Sequence, residues 1–183
     1  DHPLYAGRPG SFGHRSANFV IQNADVVLSI GSRISLGLTG WAYKDFIREG
    51  KLITVDIDAV ELKKSTIKPY LAVHADLKEF IQEILIQFRL YKPLNISEWM
   101  SKILYWKQKY PVVSPEYKDI KDSVNTYHFL DLLSEELEPD DIVDTDMGMA
   151  FQCTMQALRI KRGQKLFTNG GMAPMGYGLP AAI

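Results

Sequence analysis

Three short apolar runs, each followed by a glycine or a polar residue, set the architecture open to this chain. Asp25-Val26-Val27-Leu28-Ser29-Ile30 reads as a buried strand that Gly31 ends. Leu52-Ile53-Thr54-Val55 reads as a second strand with Asp56 at its carboxyl end, and Tyr70-Leu71-Ala72-Val73 as a third. Between the first two, Trp41 to Arg48 predicts a short helix. After the third, Leu77, Phe80, Ile81, Ile84, Leu85 and Phe88 recur at steps of three and four, which is the spacing of an amphipathic helix. Strands that alternate with helices imply right-handed βαβ units and a parallel sheet, so the fold class is α/β.

The pattern pauses and then restarts. From residue 91 to 123 the chain is punctuated by Pro93, Pro111 and Pro115. A helix carrying Trp99, Ile103 and Trp106 lies between them, and the segment reads as an interdomain linker that packs on a neighbour. From residue 124 the strand–helix alternation returns. Asn125 or Thr126 caps a helix with Phe129, Leu130, Leu133 and Leu137 inward, and Pro139 lies just past its end. Asp141-Ile142-Val143 reads as a strand, Phe151 to Leu158 as a helix and Lys165-Leu166-Phe167-Thr168 as a strand. The expected architecture is two partial Rossmann-like domains joined by a linker.

Composition removes several classes of function. Among 183 residues, 21 basic and 22 acidic side chains leave a net charge of −1 with no basic run, which argues against nucleic acid as a partner. No stretch approaches the roughly 20 apolar residues of a membrane span, and no secretory signal is visible. The lone Cys153 excludes an internal disulfide. It fits a reducing cytoplasm and reads as a small residue on a helix face.

Three segments are able to carry chemistry. Gly31-Ser32-Arg33 directly follows a strand, where glycine lets backbone approach a phosphate and arginine pairs with it. Asp56 and Asp58 follow the next strand, where a carboxylate takes a ribose hydroxyl. The spacing is not G-x-G-x-x-G, so a tight turn with solvent-facing aspartates explains the same residues. Asp144-Thr145-Asp146-Met147-Gly148 also follows a strand. Its aspartates suit general acid–base work, a metal pair, or a cap and solvated turn. The third segment runs from Thr168 to Ala182 and has four glycines between Gly170 and Gly178. Such a loop suits a ligand read by backbone groups, with Met172 and Met175 as soft apolar contacts. A structural turn with its methionines in the core is the alternative.

The run Gly170-Gly171-Met172-Ala173-Pro174-Met175-Gly176-Tyr177-Gly178-Leu179-Pro180-Ala181-Ala182-Ile183 is similar to the loop that opens the diphosphate-binding domain of acetolactate synthase-like thiamine diphosphate enzymes. Nearly the whole chain shares in the resemblance. Asp1-His2-Pro3 with Gly7, Gly10 and Gly13, then Ala24-Asp25, Gly31-Ser32-Arg33, Val55-Asp56-Ile57-Asp58 and Ala75-Asp76 resemble, in order, the second half of the central domain. Val143-Asp144-Thr145-Asp146-Met147-Gly148 resembles the first diphosphate-contacting turn. The resemblance implies residues 1–90 as the end of the central domain, 91–123 as linker and 124–183 as the start of the cofactor domain.

The resemblance also assigns roles. Gly148 and its neighbour Met149 would face the diphosphate. Gly171 and Met172 would line the cofactor. The Ala173 carbonyl would accept from the cofactor's amino group, and Met175 would hold the cofactor bent. Gly31, Arg33, Asp56 and Asp76 would line a central-domain nucleotide site, which holds FAD in some members. Where flavin-binding members carry a phenylalanine and two aspartates after the arginine, this chain has Ile34-Ser35-Leu36, and the expectation is that FAD is absent or loosely held. Where family synthases carry Gln-His after the glycine, this chain has Met149-Ala150, which leaves the product open.

The resemblance implies a 2-oxo acid substrate, thiamine diphosphate with Mg²⁺, and a cytoplasmic homodimer or homotetramer. The activating glutamate and the magnesium signature would both lie outside this segment, so no catalytic residue and no metal ligand is expected within it. The last residues, Ala181-Ala182-Ile183, sit in what reads as the start of a helix. The expectation is a piece of a longer polypeptide, inactive by itself. The other reading is a non-catalytic Rossmann-type nucleotide-binding or structural module.

Overall fold

The computed structural model describes residues 2–183 and divides into two compact units, one ending at Tyr110 and the other beginning at Pro111. Each unit holds parallel strands flanked by helices, so the α/β expectation is met in both.

In the first unit, β1 (Val26–Ile30), β2 (Lys51–Asp56) and β3 (Leu71–His74) form a parallel sheet in the order β1-β2-β3. Ile30 pairs with Val55, and Asp56 pairs with His74, so the carboxyl ends of all three strands meet one edge. The core sits beneath one face of the sheet. Ile34, Phe46 and Leu52 are buried there, with Ile21, Val27, Leu38, Ile47 and Ile67 packed against them. The other face is covered less fully. Val55 at its centre is completely buried, but Val26 is 56% exposed, and Leu28 and Ile30 are also open. The reading of the first run as a buried strand therefore holds on one face only. Val27, on the opposite face of the same strand, packs into the core.

Helix α1 (Arg15–Asn23) was not legible in the turn-rich opening, and α2 (Leu36–Thr39) is a single turn. The helix expected over Trp41 to Arg48 reduces to a 3-10 turn at Tyr43–Asp45. Gly40, at φ 63°, closes α2 in front of it, and Ala42 is already out of helical conformation. Fewer than ten residues then remain before Gly50, too few to sustain a helix without strong packing. The segment instead buries Phe46 against Leu52. Helix α3 (Leu77–Phe88) forms as its spacing predicts, capped by Asp76, which accepts from the Lys78 and Glu79 amides. Its Ile81, Leu85 and Phe88 remain exposed. Helix α4 (Ser97–Lys109) packs on α1, with the Phe19 ring 6.1 Å from Trp106 and 5.2 Å from Tyr110. Trp106 lies in that contact, and Trp99 packs edge-on against Trp106 with ring centroids 5.8 Å apart.

In the second unit, β4 (Ile142–Asp144) and β5 (Lys165–Phe167) pair in parallel. Helix α5 (Thr126–Glu136) begins at Asn125, whose side chain accepts from the Tyr127 and His128 amides at 3.0 and 3.1 Å. It packs on α6 (Met149–Ala157) through Leu130, Cys153, Ala157 and Leu158, with Leu133 and Leu137 alongside. Cys153 is fully buried on its helix face, as expected of a small residue there. Phe129 does not face inward and is half exposed, because the inward stripe of α5 runs through Leu130 and Ser134 instead. The buried Ser134 hydroxyl donates to the Leu130 carbonyl and accepts the Arg159 amide, so its polar group is satisfied. A short helix, α7 (Gly178–Ala182), follows the glycine-rich loop and packs on β4. No helix among the described residues is long and apolar enough to cross a membrane.

Candidate cofactor site

The carboxyl ends of β4 and β5 are where the two glycine-bearing segments of the second unit meet. The Thr145 amide extends the pairing to the Phe167 carbonyl, and the chain then turns through Asp146 and Met147 to Gly148. Gly148 takes φ 78°, a left-handed conformation that suits glycine, and α6 starts at the next residue. The opening amides of a helix have no partner within the helix itself, and such amides attract anionic groups. A side chain built on Gly148 would meet no atom, so the space beside it is open.

The second segment comes back over this turn. Gly170 lies against the Phe151 ring of α6, where a side-chain carbon would sit 3.1 Å from the ring. The Ala173 amide closes a local turn on the Asn169 carbonyl at 2.8 Å, and Ala173 itself is held at φ 51°. Gly176 takes φ 87° and donates its amide to both oxygens of Asp146, at 2.9 and 3.0 Å. The approach continues to Gly178, where a side-chain carbon would lie 2.9 Å from the Asp146 nitrogen. Glycine is therefore required there for steric reasons. Between these anchors the loop carries Met172 and Met175 outward, 83% and 91% exposed. Within this unit neither methionine is part of the core.

Beside the loop a cleft opens, lined by Ile142, Asp144, Asp146, Phe167, Gly178 and Leu179. Asp144 presents both carboxylate oxygens, and Thr168 its hydroxyl, shielded from solvent and without a hydrogen-bond partner. Buried groups left so call for partners. Asp146 is different. The Met147 amide holds its carboxyl below the usual carboxylate range, partial burial opposes this, and the amides of Gly176, Gly178 and Tyr177 add to it. A carboxylate so engaged is ionised at neutral pH and is not a general acid. Among the described residues no group of three or more His, Cys, Asp or Glu side chains is arranged to hold a metal. Open glycine backbone and outward methionines at the ends of parallel strands together fit a cofactor with a polar, anionic part and a flat ring.

In the first unit the residues read as a nucleotide site are all placed near the sheet's carboxyl edge, but each has local work. Gly31 adopts φ 58°, and a side-chain carbon there would run into Leu77 at 2.5 Å. Asp56 accepts the Asp58 amide at 2.9 Å, and Asp58 accepts the Val60 amide at 2.8 Å. Asp76 caps α3. Arg33, at φ 58°, turns its guanidinium to Glu61 at 2.8 Å, and Lys64 pairs with the same carboxylate. Hydrogen bonds from Lys64 and Arg33 hold Glu61 below the ordinary glutamate range. Glu61 and Lys64 were missed in the sequence. Their only signal is an acid–base pair three residues apart beside a 3-10 turn, a common surface arrangement.

Residues 1–84 match the family model described as thiamine pyrophosphate enzyme, central domain. This gives the class that the first unit resembles: over those residues it is similar to the central domain of the thiamine pyrophosphate enzymes. Over its whole length the chain is similar to acetolactate synthase large subunits. The isozyme 1 large subunit of Escherichia coli (strain K12) is 30% identical over 182 residues, covering 100% of this chain and 31% of that protein. The large subunit of Cyanidium caldarium is 29% identical over 186 residues, with 100% and 31% covered. The probable large subunit of Methanocaldococcus jannaschii is 28% identical, again with 100% and 31% covered. The chain is similar throughout to acetolactate synthase large subunits, and it spans just under a third of the length of these relatives.

Proposed function

We propose that the polypeptide containing this chain is a thiamine diphosphate-dependent decarboxylase or carboligase of 2-oxo acids, and that the second unit holds one side of its cofactor. The observation that carries the reading is the convergence of the Gly148 turn and the Ala173–Met175 loop at the carboxyl ends of β4 and β5. Gly148 and Met149 would hold the diphosphate through their backbone amides at the start of α6. Gly171 and Met172 would border the ring, the Ala173 carbonyl would accept its amino group, and Met175 would support it from below. When bound, the cofactor supplies the electron sink that makes loss of carbon dioxide from a 2-oxo acid feasible. This chain's share is to bind and orient it.

The rest of the reading follows from the resemblance. Mg²⁺ would accompany the diphosphate, with its ligands and the activating glutamate contributed by residues outside this chain. The 183-residue chain alone would then be inactive. Residues 1–90 would belong to the central domain, 91–123 to the linker and 124–183 to the cofactor domain. A cytoplasmic homodimer or homotetramer is the assembly that fits. In the central domain, Gly31, Arg33, Asp56 and Asp76 would border the nucleotide position, but Glu61 occupies the Arg33 guanidinium that a phosphate would use. We therefore propose that FAD is absent or loosely held.

The test is an assay of the purified full-length protein for carbon dioxide release from pyruvate, 2-oxobutyrate and phenylpyruvate, with and without thiamine diphosphate and Mg²⁺. Release from at least one acid, dependent on the cofactor, is expected, and the same preparation is expected to show no stoichiometric flavin absorption. Cofactor-independent release, or none from any of the three, contradicts the proposal, and a stoichiometric flavin band contradicts the account of Arg33.

A further inference from the structure

We propose that Asp146 is a positioning residue, whose carboxylate clips the methionine-bearing loop to the turn after β4 and so sets where Ala173 and Met175 stand relative to Gly148. The inference rests on the reading of that loop as the cofactor's support. It gives a role to an aspartate that looked, in sequence, like an acid–base group, a metal ligand or a solvated cap.

The geometry is specific to a clip. Both carboxylate oxygens accept the Gly176 amide, at 2.9 and 3.0 Å, across 30 residues of chain. One of them also takes the Met147 amide at 2.7 Å. The carboxylate's own backbone is fixed, since the buried Thr145 hydroxyl donates to the Asp146 carbonyl at 2.9 Å. Two glycines make the clip possible. Gly176 at φ 87° aims its amide inward, and Gly178 lets the loop pass within contact distance of Asp146. By contrast, the bonds at the other end of the loop are local, from Ala173 and Met172 back to Asn169. A loop of exposed methionines and glycines has little apolar burial to order it, so the tie to Asp146 is what converts a freely moving loop into a fixed support.

Charge is part of the design. A carboxylate offers two acceptor oxygens and no donor, so several amides converge on it without conflict. Asparagine keeps one acceptor but turns an NH₂ group toward an amide, and alanine keeps none. The depressed pKa of Asp146 is consistent with this convergence.

The test is amide hydrogen exchange on the full-length protein without cofactor, resolved at residues 170–178. In the wild type, the Gly176, Tyr177 and Gly178 amides are expected to exchange slowly even though Gly176 is exposed, while residues 170–172 exchange fast. Asp146→Ala should speed exchange at residues 176–178 by roughly ten-fold or more, the scale of a lost bond to a charged group. Asp146→Asn should fall between, and amides of α5 and α6 should be unchanged in both. Fast exchange at residues 176–178 in the wild type overturns the proposal. So does an Asp146→Ala protein with unchanged loop exchange, or one in which exchange rises equally through α5 and α6. The wild-type and asparagine measurements decide the matter if the alanine variant fails to fold. Because no cofactor is present, the clip stands or falls separately from cofactor binding. A companion titration with thiamine diphosphate tests the functional consequence: Asp146→Asn should bind it more weakly at unchanged melting temperature, and equal affinity would show that the clip does not position the support.

Discussion

Met175→Ala in the full-length enzyme is expected to lower kcat by about 10- to 100-fold, equivalent to roughly 1.4 to 2.8 kcal/mol of lost pre-organisation, and to leave the melting temperature nearly unchanged. The resemblance gives this residue the task of holding the cofactor bent, so that its amino group lies against its reacting carbon. A long, soft, apolar side chain enforces such a shape by steric contact. The structure makes the stability half of the expectation sharp. Met175 is 91% exposed in its unit, so its removal opens no cavity there. A buried methionine would cost several kcal/mol on truncation. Steady-state kinetics and thermal melts on the same variant separate the two roles, and a destabilised but fully active protein would refute the assignment.

Leu130→Ala should do the reverse. Leu130 is 5% exposed, and with Cys153, Ala157 and Leu158 it forms the buried centre where α5 meets α6. Truncating a buried leucine costs about 2–5 kcal/mol, because the transfer energy is lost and a cavity remains. The neighbours offer little room to collapse: Cys153 and Ala157 are small, and Ser134 is tied to the Leu130 carbonyl through its hydroxyl. Denaturant unfolding of the full-length protein should show the second unit losing stability on this scale, while thiamine diphosphate affinity in the remaining folded protein stays near that of the wild type. A loss below about 1 kcal/mol would mean that this cluster is not the core of the unit.

The contrast between these two residues shows what the sequence was able to disclose. Both are apolar and both follow a recognisable pattern. Leu130 lies on a 3.6-residue period behind an asparagine cap, and the same local physics operates in the fold. Periodicity assigned Phe129 to the same face, but the helix phase is set by what α6 presents, which lies elsewhere in the chain. The strands were legible because short apolar runs bounded by turn residues have few alternatives. The conformation of Trp41 to Arg48 was not, because Gly40 and Phe46 obey tertiary demands that no local spacing encodes. At the site, glycines marked the loop but did not reveal that Asp146 and Gly176 meet across 30 residues. Likewise nothing in the spacing reveals that Glu61, 28 residues on, pairs with Arg33.

The central claim is that the Gly148 turn and the Ala173–Met175 loop form one side of a thiamine diphosphate site completed elsewhere in the polypeptide. Calorimetric titration with thiamine diphosphate and Mg²⁺, run in parallel on the full-length protein and on the 183-residue chain, tests it most directly. The account predicts one cofactor per full-length polypeptide with micromolar or tighter affinity, and weak or no binding to the isolated chain, where the metal ligands that offset the diphosphate charge are missing. Absence of binding to the full-length protein would contradict the claim. Micromolar binding to the isolated chain would also contradict it, by showing that these residues make a complete site.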